Sequence, residues 1–239
     1  MKSNPMKSAI LAMACAAIAP QAVRATPEAA AAAGVDLRVA YIESSMAQYI
    51  DSGVVSGPGV KAEAVAAWID PISDSALLGA RNNTSGNGQF YMIWTYNNHP
   101  LFGPAQIFNS NNDAALANVN WGAEKRHTIV ADFGAASQSL AVDGTTVKTV
   151  YNTLSSGVNL HIFALKKSDG VINCFSKTRL YSLKIWKDGV LVRDFVPARN
   201  FADGYVLGLY DNVSGKFFGP VPTTEGSAST TSFLNAVPG

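Results

Sequence analysis

The sequence predicts an all-β domain preceded by an export signal, and three features support this. From Val35 onward, short runs of β-branched, aromatic and aliphatic residues alternate with turn residues, a spacing typical of a β-sandwich or barrel. Two Asp-Gly pairs, Asp143-Gly144 and Asp188-Gly189, each join two such runs. The apolar segment near the N-terminus is too short to span a membrane, which takes about 20 residues.

The first 25 residues have the parts of a secretory signal peptide. A short segment with two lysines precedes an apolar run over residues 8–19, and small side chains follow at Val23 and Ala25. A basic start, a short apolar stretch and a small-x-small cleavage site are typical of exported proteins. We therefore expect residues 1–25 to be a signal peptide and the mature chain to be secreted. No later apolar run is long enough to span a membrane.

Removal of this segment changes both the charge and the cysteine count. It takes away Lys2, Lys7 and Arg24 but no acidic residue, so 15 basic groups face 17 acidic ones and the formal charge changes from +1 to −2. It also takes away Cys15, which leaves Cys174 without an intrachain disulfide partner. We expect Cys174 to be a small buried hydrophobic residue. No cluster of Lys and Arg remains to bind phosphates, so no nucleic-acid partner is expected.

The mature sequence is predicted to form one domain with short ends. Residues 26–35 are rich in alanine and are expected to form a flexible leader, and residues 36–220 are expected to form one β domain. Residues 221–239 are rich in Ser, Thr and Gly and are expected to be loosely held. The alanines at 28–33 lack a sustained apolar stripe at helical spacing, so no helix is predicted there.

Three runs show the strand pattern most clearly. Residues 60–70 place apolar side chains at alternate positions, with charged side chains at the start of the other face. Residues 89–96 and 126–133 consist almost entirely of strand-forming residues. The two Asp-Gly pairs predict type I′ hairpins, because that turn needs φ > 0 at both central residues. A third turn is predicted at 211–215.

Four segments resemble bacterial LamG-like domains of the concanavalin A-like group. They are residues 41–53 (YIESSMAQYIDSG), 139–144 (SLAVDG), 179–199 and 208–218 (GLYDNVSGKFF). The resemblance extends over about residues 38–219 and implies a jelly-roll sandwich of two antiparallel sheets, with the N- and C-terminal strands adjacent. It implies no single activity, because members of this fold bind sugars, proteins or calcium, serve as spacers or hydrolyse glycans.

Patterns for catalysis are missing from the sequence. The hydrolase relatives of this fold carry a Glu-x-Asp-x-x-Glu strand, which supplies the paired carboxylates that glycoside hydrolysis needs. Here every glutamate of the mature chain lies at least five residues from another acid, and there is no Gly-x-Ser-x-Gly elbow. His127 and His161 are expected to be half-buried or cross-strand imidazoles, whereas His99, in a turn before Pro100, could contact a ligand. We expect no enzyme activity. A glycan hydrolase whose two carboxylates come from distant strands is kept as a less favoured alternative.

No cofactor is predicted, but calcium is kept open. The turns at residues 70–74 and 109–113 are rich in the oxygen ligands that calcium prefers, with Asp74, Asn112 and Asp113 as candidate ligands. Neither turn has the spacing of a dedicated calcium loop, and ordinary turn chemistry explains both. Calcium is retained mainly because the resembled fold often holds one.

Residues 81–121 form the most distinctive segment. It holds ten of the 17 asparagines, interleaved with aromatic residues. Amides donate and accept hydrogen bonds to sugar hydroxyls, and aromatic faces pack against sugar C–H groups. The candidate ligand-binding residues are Arg81, Asn83, Trp94, Tyr96, Asn98, His99, Asn111 and Trp121. Turn-forming asparagines and core aromatics would give the same composition.

Together these features predict a secreted, non-catalytic module that binds carbohydrate through Asn and aromatic side chains. The main alternative is a structural or adhesive surface domain that binds protein partners. The expected partner is therefore a glycan or a cell-surface protein.

Overall fold

The computed structural model describes residues 26–69, 75–82, 89–96, 99–102, 124–134, 138–150, 156–202, 204–222 and 233. Within these ranges the regular structure is almost entirely β-strand. The elements are α1 (Pro27–Ala32), β1 (Val35–Asp36), β2 (Ile42–Glu43), β3 (Gln48–Val55), β4 (Val60–Trp68), β5 (Ser75–Asn82), β6 (Gln89–Tyr96), β7 (His99–Phe102), β8 (His127–Phe133), β9 (Gln138–Val142), β10 (Thr145–Val150), β11 (Asn159–Ile162), β12 (Leu165–Lys167), β13 (Ile172–Asn173), β14 (Thr178–Lys187), β15 (Val190–Asn200), β16 (Val206–Asp211), β17 (Lys216–Phe218) and β18 (Val221–Pro222). The prediction of an all-β domain is confirmed.

The strands form two sheets. In the first sheet the order is β10-β9-β8-β4-β14-β15-β16-β17, with β1 beside β15 and β2 beside β14. In the second sheet the order is β13-β12-β5-β11-β3-β18, with β6 beside β5 and β7 beside β6. Strands from the two ends of the chain pair in both sheets, β1 with β15 and β3 with β18.

The core lies between the two sheets and follows the alternation predicted for β4. The apolar side chains at positions 60, 62, 64, 66 and 68 are buried, whereas Lys61 and Glu63 between them are half-buried. Ile129 of β8 and Ile185 of β14 join them from the neighbouring strands, and Leu160 of β11 joins from the second sheet. Because apolar burial is the main favourable term in folding, this alternation determines which face of the first sheet points inward.

Both predicted Asp-Gly hairpins are confirmed. Val142 pairs with Thr145 across Asp143-Gly144, and the backbone φ angles of the two turn residues are 50° and 83°. The β14–β15 hairpin has φ angles of 50° and 78° at Asp188 and Gly189. Two consecutive left-handed residues match the right-handed twist of the flanking strands.

The predicted turn after β16 is held by one buried carboxylate. Asp211 accepts hydrogen bonds from the backbone N–H of Asp194, Val213 and Ser214 at 2.8, 3.1 and 3.2 Å, and from the Ser214 hydroxyl at 2.7 Å. The turn joins β16 to β17, which pair in antiparallel register. The GLYDNVSGKFF segment therefore has a structural role in this chain.

The loop between β2 and β3 is held in a similar way. The side-chain oxygen of Gln48, which is buried, accepts hydrogen bonds from the Ser45 backbone N–H at 3.0 Å and the Ser45 hydroxyl at 3.1 Å. The Ser44 hydroxyl donates to the same oxygen at 3.4 Å. Buried polar groups need such partners, and here they fix the path of the chain between the two sheets.

Both ends of the domain are more ordered than the sequence led us to expect. Residues 26–35 are not simply a flexible leader: Thr26 caps α1, and Ala30 packs in a small cluster with Val35, Ala198 and Tyr210. A short helix needs only a cap and a proline at its first turn to begin, and periodicity does not reveal either. Residues 1–25 lie outside the described residues, so the signal peptide stays a prediction.

At the other end, the tail expected over residues 221–239 begins as β18, which pairs with β3. Phe233 is buried and its ring lies 5.3 Å from that of Phe163 in the core. Apart from Phe233, the tail after Pro222 lies outside the described residues. Among those that are described, no helix is long and apolar enough to cross a membrane.

Candidate functional site

Four of the predicted ligand-binding residues lie on neighbouring strands of the second sheet. Arg81 is in β5 and pairs with Phe90 of β6. Trp94 and Tyr96 are in β6, and His99 is the first residue of β7, where it pairs with Tyr96. His99 therefore begins a strand, whereas the sequence suggested a turn. The other four, Asn83, Asn98, Asn111 and Trp121, lie outside the described residues.

The predicted calcium ligands Asp74, Asn112 and Asp113 also lie outside the described residues. Within the part of the chain that is described, no group of three or more His, Cys, Asp or Glu side chains could hold a metal ion. Cys174, which was expected to be buried, is half-buried.

A polar and aromatic cluster joins β3 to β11 in the second sheet, and sequence reasoning missed it. Tyr49 and His161 stack with their ring centroids 5.1 Å apart and their planes 29° from parallel. Asp51, two residues after Tyr49, pairs with His161 across the strands. The Asn159 amide donates to Asp51 Oδ2 at 3.2 Å. We call these four residues the β3–β11 cluster.

Strand alternation explains how these residues come together. Ile50, Ser52 and Val54 of β3 are buried, so Tyr49 and Asp51 between them point to the opposite face of the sheet, away from the core. On β11, His161 lies between the core residues Leu160 and Ile162. Only the pairing of these two strands places an aromatic, an amide, a carboxylate and an imidazole side by side.

The imidazole of His161 is held in its neutral form. Its burial lowers the pKa below 6.5, and the nearby Lys166 charge acts in the same direction. The hydrogen bond to the Asn159 carbonyl and the Asp51 charge oppose this, but the net pKa is still lowered. His161 Nδ1–H donates to that carbonyl at 3.0 Å, so in the neutral ring Nε2 is an acceptor.

Tyr49 also stays neutral across the ordinary pH range. Burial raises its pKa above 10.0, and the Asp51 carboxylate raises it further. The cluster therefore brings a phenol, an amide and a carboxylate, all half-buried, together with a neutral imidazole that is itself buried. This set can both donate to and accept from hydroxyl groups, with aromatic rings alongside.

A shallow depression of about 290 Å³ lies further along β3. It is lined by Gly53, Val54, Val55, Lys187, Val192 and Arg193. Gly53 N–H donates to Asp51 Oδ1 at 2.8 Å, which links this end of the strand to the β3–β11 cluster. Arg193, which also lines the depression, donates from its Nε–H to the Ser52 carbonyl at 2.9 Å.

Two carboxylates outside this sheet meet at one arginine. Arg179 Nε–H donates to Glu43 at 2.7 Å, and its Nη1–H donates to Glu124 at 3.0 Å. Burial lowers the pKa of Arg179, but the hydrogen bonds to both glutamates outweigh it and the net pKa is raised. Glu43 and Glu124 are thus ion-paired through Arg179, an arrangement different from two carboxylates that face a scissile bond.

His127 and His161 lie on paired strands, as the expectation of cross-strand imidazoles requires. His127 and His161 are both buried and lie on strands that pair in antiparallel register. His127 Nδ1 lies 2.8 Å from Asp143 Oδ2, which ties β8 to the β9–β10 hairpin. The role of His161 in the β3–β11 cluster had no signal in the sequence beyond the alternation at residues 49 and 51.

The fold and the cluster define the class of protein: a two-sheet β-sandwich with a polar and aromatic site on one sheet. No protein-family model matches the chain, and no curated protein matches its sequence.

Proposed function

We propose that this protein is an exported, non-catalytic carbohydrate-binding module with a LamG-like, concanavalin A-like jelly-roll architecture. The β3–β11 cluster is the observation that carries this proposal. Tyr49 supplies an aromatic surface, Asp51 supplies an acceptor, and the Asn159 amide supplies a donor and an acceptor. The buried His161 stacks on Tyr49 and holds its ring in place. These are the groups that sugar hydroxyls and C–H faces require.

The predicted ligand residues of the neighbouring strands support an extended site. Arg81, Trp94, Tyr96 and His99 belong to β5, β6 and β7, which continue the same sheet beyond β11. Binding residues are favoured on such a rigid scaffold because little conformational entropy is lost when a ligand binds. A glycan chain lying across the second sheet from β3 toward β7 would run from the cluster over the strands that carry these residues.

The test is a glycan array on the full chain, expressed in a host that exports it, in calcium and again in chelator. We expect binding to a small group of glycans. If the calcium prediction at Asp74, Asn112 and Asp113 holds, chelator weakens binding. If it does not, binding is the same in both conditions.

Two pairs of variants connect binding to the cluster. Tyr49→Ala and Asp51→Asn are expected to weaken binding by about tenfold or more, because each loses a central contact. The matched controls are Tyr205→Ala, an exposed tyrosine in the β15–β16 turn, and Asp132→Asn on β8 of the first sheet. The proposal fails if no glycan binds in either condition, or if the controls weaken binding as much as the cluster variants.

A further inference from the structure

A row of arginine and tyrosine side chains in contact lies on the first sheet, away from the β3–β11 cluster. The Arg126 guanidinium carbon lies 3.6 Å from the ring centroid of Tyr181, whose centroid is 5.5 Å from that of Tyr41. The guanidinium carbon of Arg179 lies 4.9 Å from the Tyr41 centroid. We call Arg126, Tyr181, Tyr41 and Arg179 the arginine–tyrosine ladder.

One end of the ladder is closed by ion pairs. Arg179 binds Glu43, whose side chain is 7 % exposed, and Glu124, whose side chain is 56 % exposed. Glu124 has a left-handed backbone with φ of 66°, an uncommon conformation for this residue type. Because Arg179 holds Glu124, the backbone two residues before Arg126 is anchored to β14.

The other end of the ladder is open. Arg126 is exposed, and none of the described residues forms a hydrogen bond or ion pair with its guanidinium. Arg38 is bound to Asp36, and Arg193 donates to two backbone carbonyls. Arg126 differs from both, because its guanidinium lies on an aromatic ring and no acceptor among the described residues binds its donors.

This geometry makes Arg126 a prepared donor for a carboxylate. A guanidinium is planar and presents paired N–H groups that match a carboxylate with two parallel hydrogen bonds. Stacking on Tyr181 and anchoring through Glu124 restrict the side chain before any partner arrives, which lowers the entropy lost on binding. Exposed Lys125 next to it is also positively charged, and part of its field acts on the Asp143 carboxylate.

We propose that the arginine–tyrosine ladder is a docking site for an acidic segment of a partner protein, with an Asp or Glu carboxylate bound by Arg126. Arginine and tyrosine are the residues that most often dominate protein interfaces. A guanidinium lies over each tyrosine ring, and the charge of Arg126 favours an acidic partner. This site is independent of the carbohydrate site on the second sheet.

The test measures binding of a fluorescein-labelled hexaglutamate peptide to the full chain by fluorescence anisotropy at low salt. Hexaglutamine, polygalacturonate and inorganic phosphate are the comparison ligands. We expect hexaglutamate to bind, hexaglutamine not to bind, and the affinity to fall as salt screens the charges. Arg126→Gln is expected to weaken hexaglutamate binding about tenfold or more.

Three further variants separate the ladder from general charge attraction. Arg126→Lys keeps the charge but loses the planar fork, so an intermediate loss is expected. Tyr181→Leu removes the ring that holds Arg126 and should also weaken binding. Lys184→Gln removes a charge from β14, the strand that carries Tyr181, and should leave hexaglutamate binding unchanged.

Three results would overturn the proposal. One is the absence of hexaglutamate binding, and another is an equal loss in Lys184→Gln and Arg126→Gln. The third is binding of polygalacturonate or phosphate that is tighter than that of hexaglutamate and is lost in Arg126→Gln. Glycan-array binding should be unaffected by Arg126→Gln, so a failure here and a failure of the carbohydrate proposal are separate outcomes.

Discussion

Replacement of Asp211 by alanine should strongly lower the stability of the fold. Its carboxylate is 0 % exposed and accepts four hydrogen bonds. The Asp194 N–H is buried, so it would lose its acceptor and gain no water. An unsatisfied buried donor costs about 1–3 kcal/mol, and hydrogen bonds to a charged acceptor contribute roughly 1.5–3 kcal/mol each when no water replaces them.

The Val213 and Ser214 donors are nearer the surface, since Val213 is half-buried and Ser214 is exposed, and water can replace part of their bonds. We therefore expect Asp211→Ala to lower the free energy of unfolding by about 3–5 kcal/mol. Asp211→Asn keeps an acceptor for Asp194 N–H but turns an amide donor toward Ser214, so an intermediate loss of about 1–3 kcal/mol is expected.

The measurement is urea unfolding of the full chain, followed by tryptophan fluorescence, with the midpoint and slope fitted for each variant. Asp132→Ala, on the half-buried outer face of β8, is the control and should change stability by less than about 0.5 kcal/mol. A loss below about 1 kcal/mol for Asp211→Ala would show that the hydrogen bonds to this carboxylate do not hold the turn.

Two further predictions concern packing and protonation. Gly79→Ala should destabilise the fold by about 2–3 kcal/mol, because a Cβ there would lie 2.8 Å from the Ala164 carbonyl oxygen and 2.9 Å from Leu165 Cα. Gly219→Ala, where the nearest atom would be 3.6 Å away, should be near neutral in the same urea assay, and equal losses would contradict the argument. The pKa of His161 is lowered in the folded chain, so the unfolded chain binds more protons as pH falls through 6.5. The contribution of His161 to the free energy of unfolding is therefore fully present above pH 6.5. It is lost as the pH falls from 6.5 toward the lowered pKa of the folded chain. His161→Phe should flatten the slope of unfolding free energy between pH 7 and 5, and an unchanged slope would refute the assignment.

Much of the fold could be predicted because its signals are local. The alternation in β4 and the Asp-Gly turns at 143–144 and 188–189 depend only on neighbouring residues. A strand exposes alternate side chains to opposite faces, and a type I′ turn needs two residues that tolerate positive φ. The short helix α1 was missed because a cap at Thr26, rather than a long apolar stripe, begins it.

The candidate sites depend on contacts between distant segments. Asn159 and Asp51 are 108 positions apart, and Arg179 lies 136 positions from Glu43 and 55 from Glu124. No local pattern brings such residues together, because each pair forms only when particular strands lie side by side. The composition of residues 81–121 predicts a sugar site there, and most of that segment lies outside the described residues. The β3–β11 cluster has no comparable signal in the composition.

By itself, the amino-acid sequence determined the strand class, the two tight hairpins and which face of β4 is buried. Turn geometry and side-chain alternation are properties of a few consecutive residues, so they can be recognised without a structure. Only the tertiary structure decided that Tyr49 stacks on His161 and that Arg126 lies on Tyr181 with its donors exposed. Strand pairing is set by burial of the whole core, and it brings together side chains that are far apart in the chain.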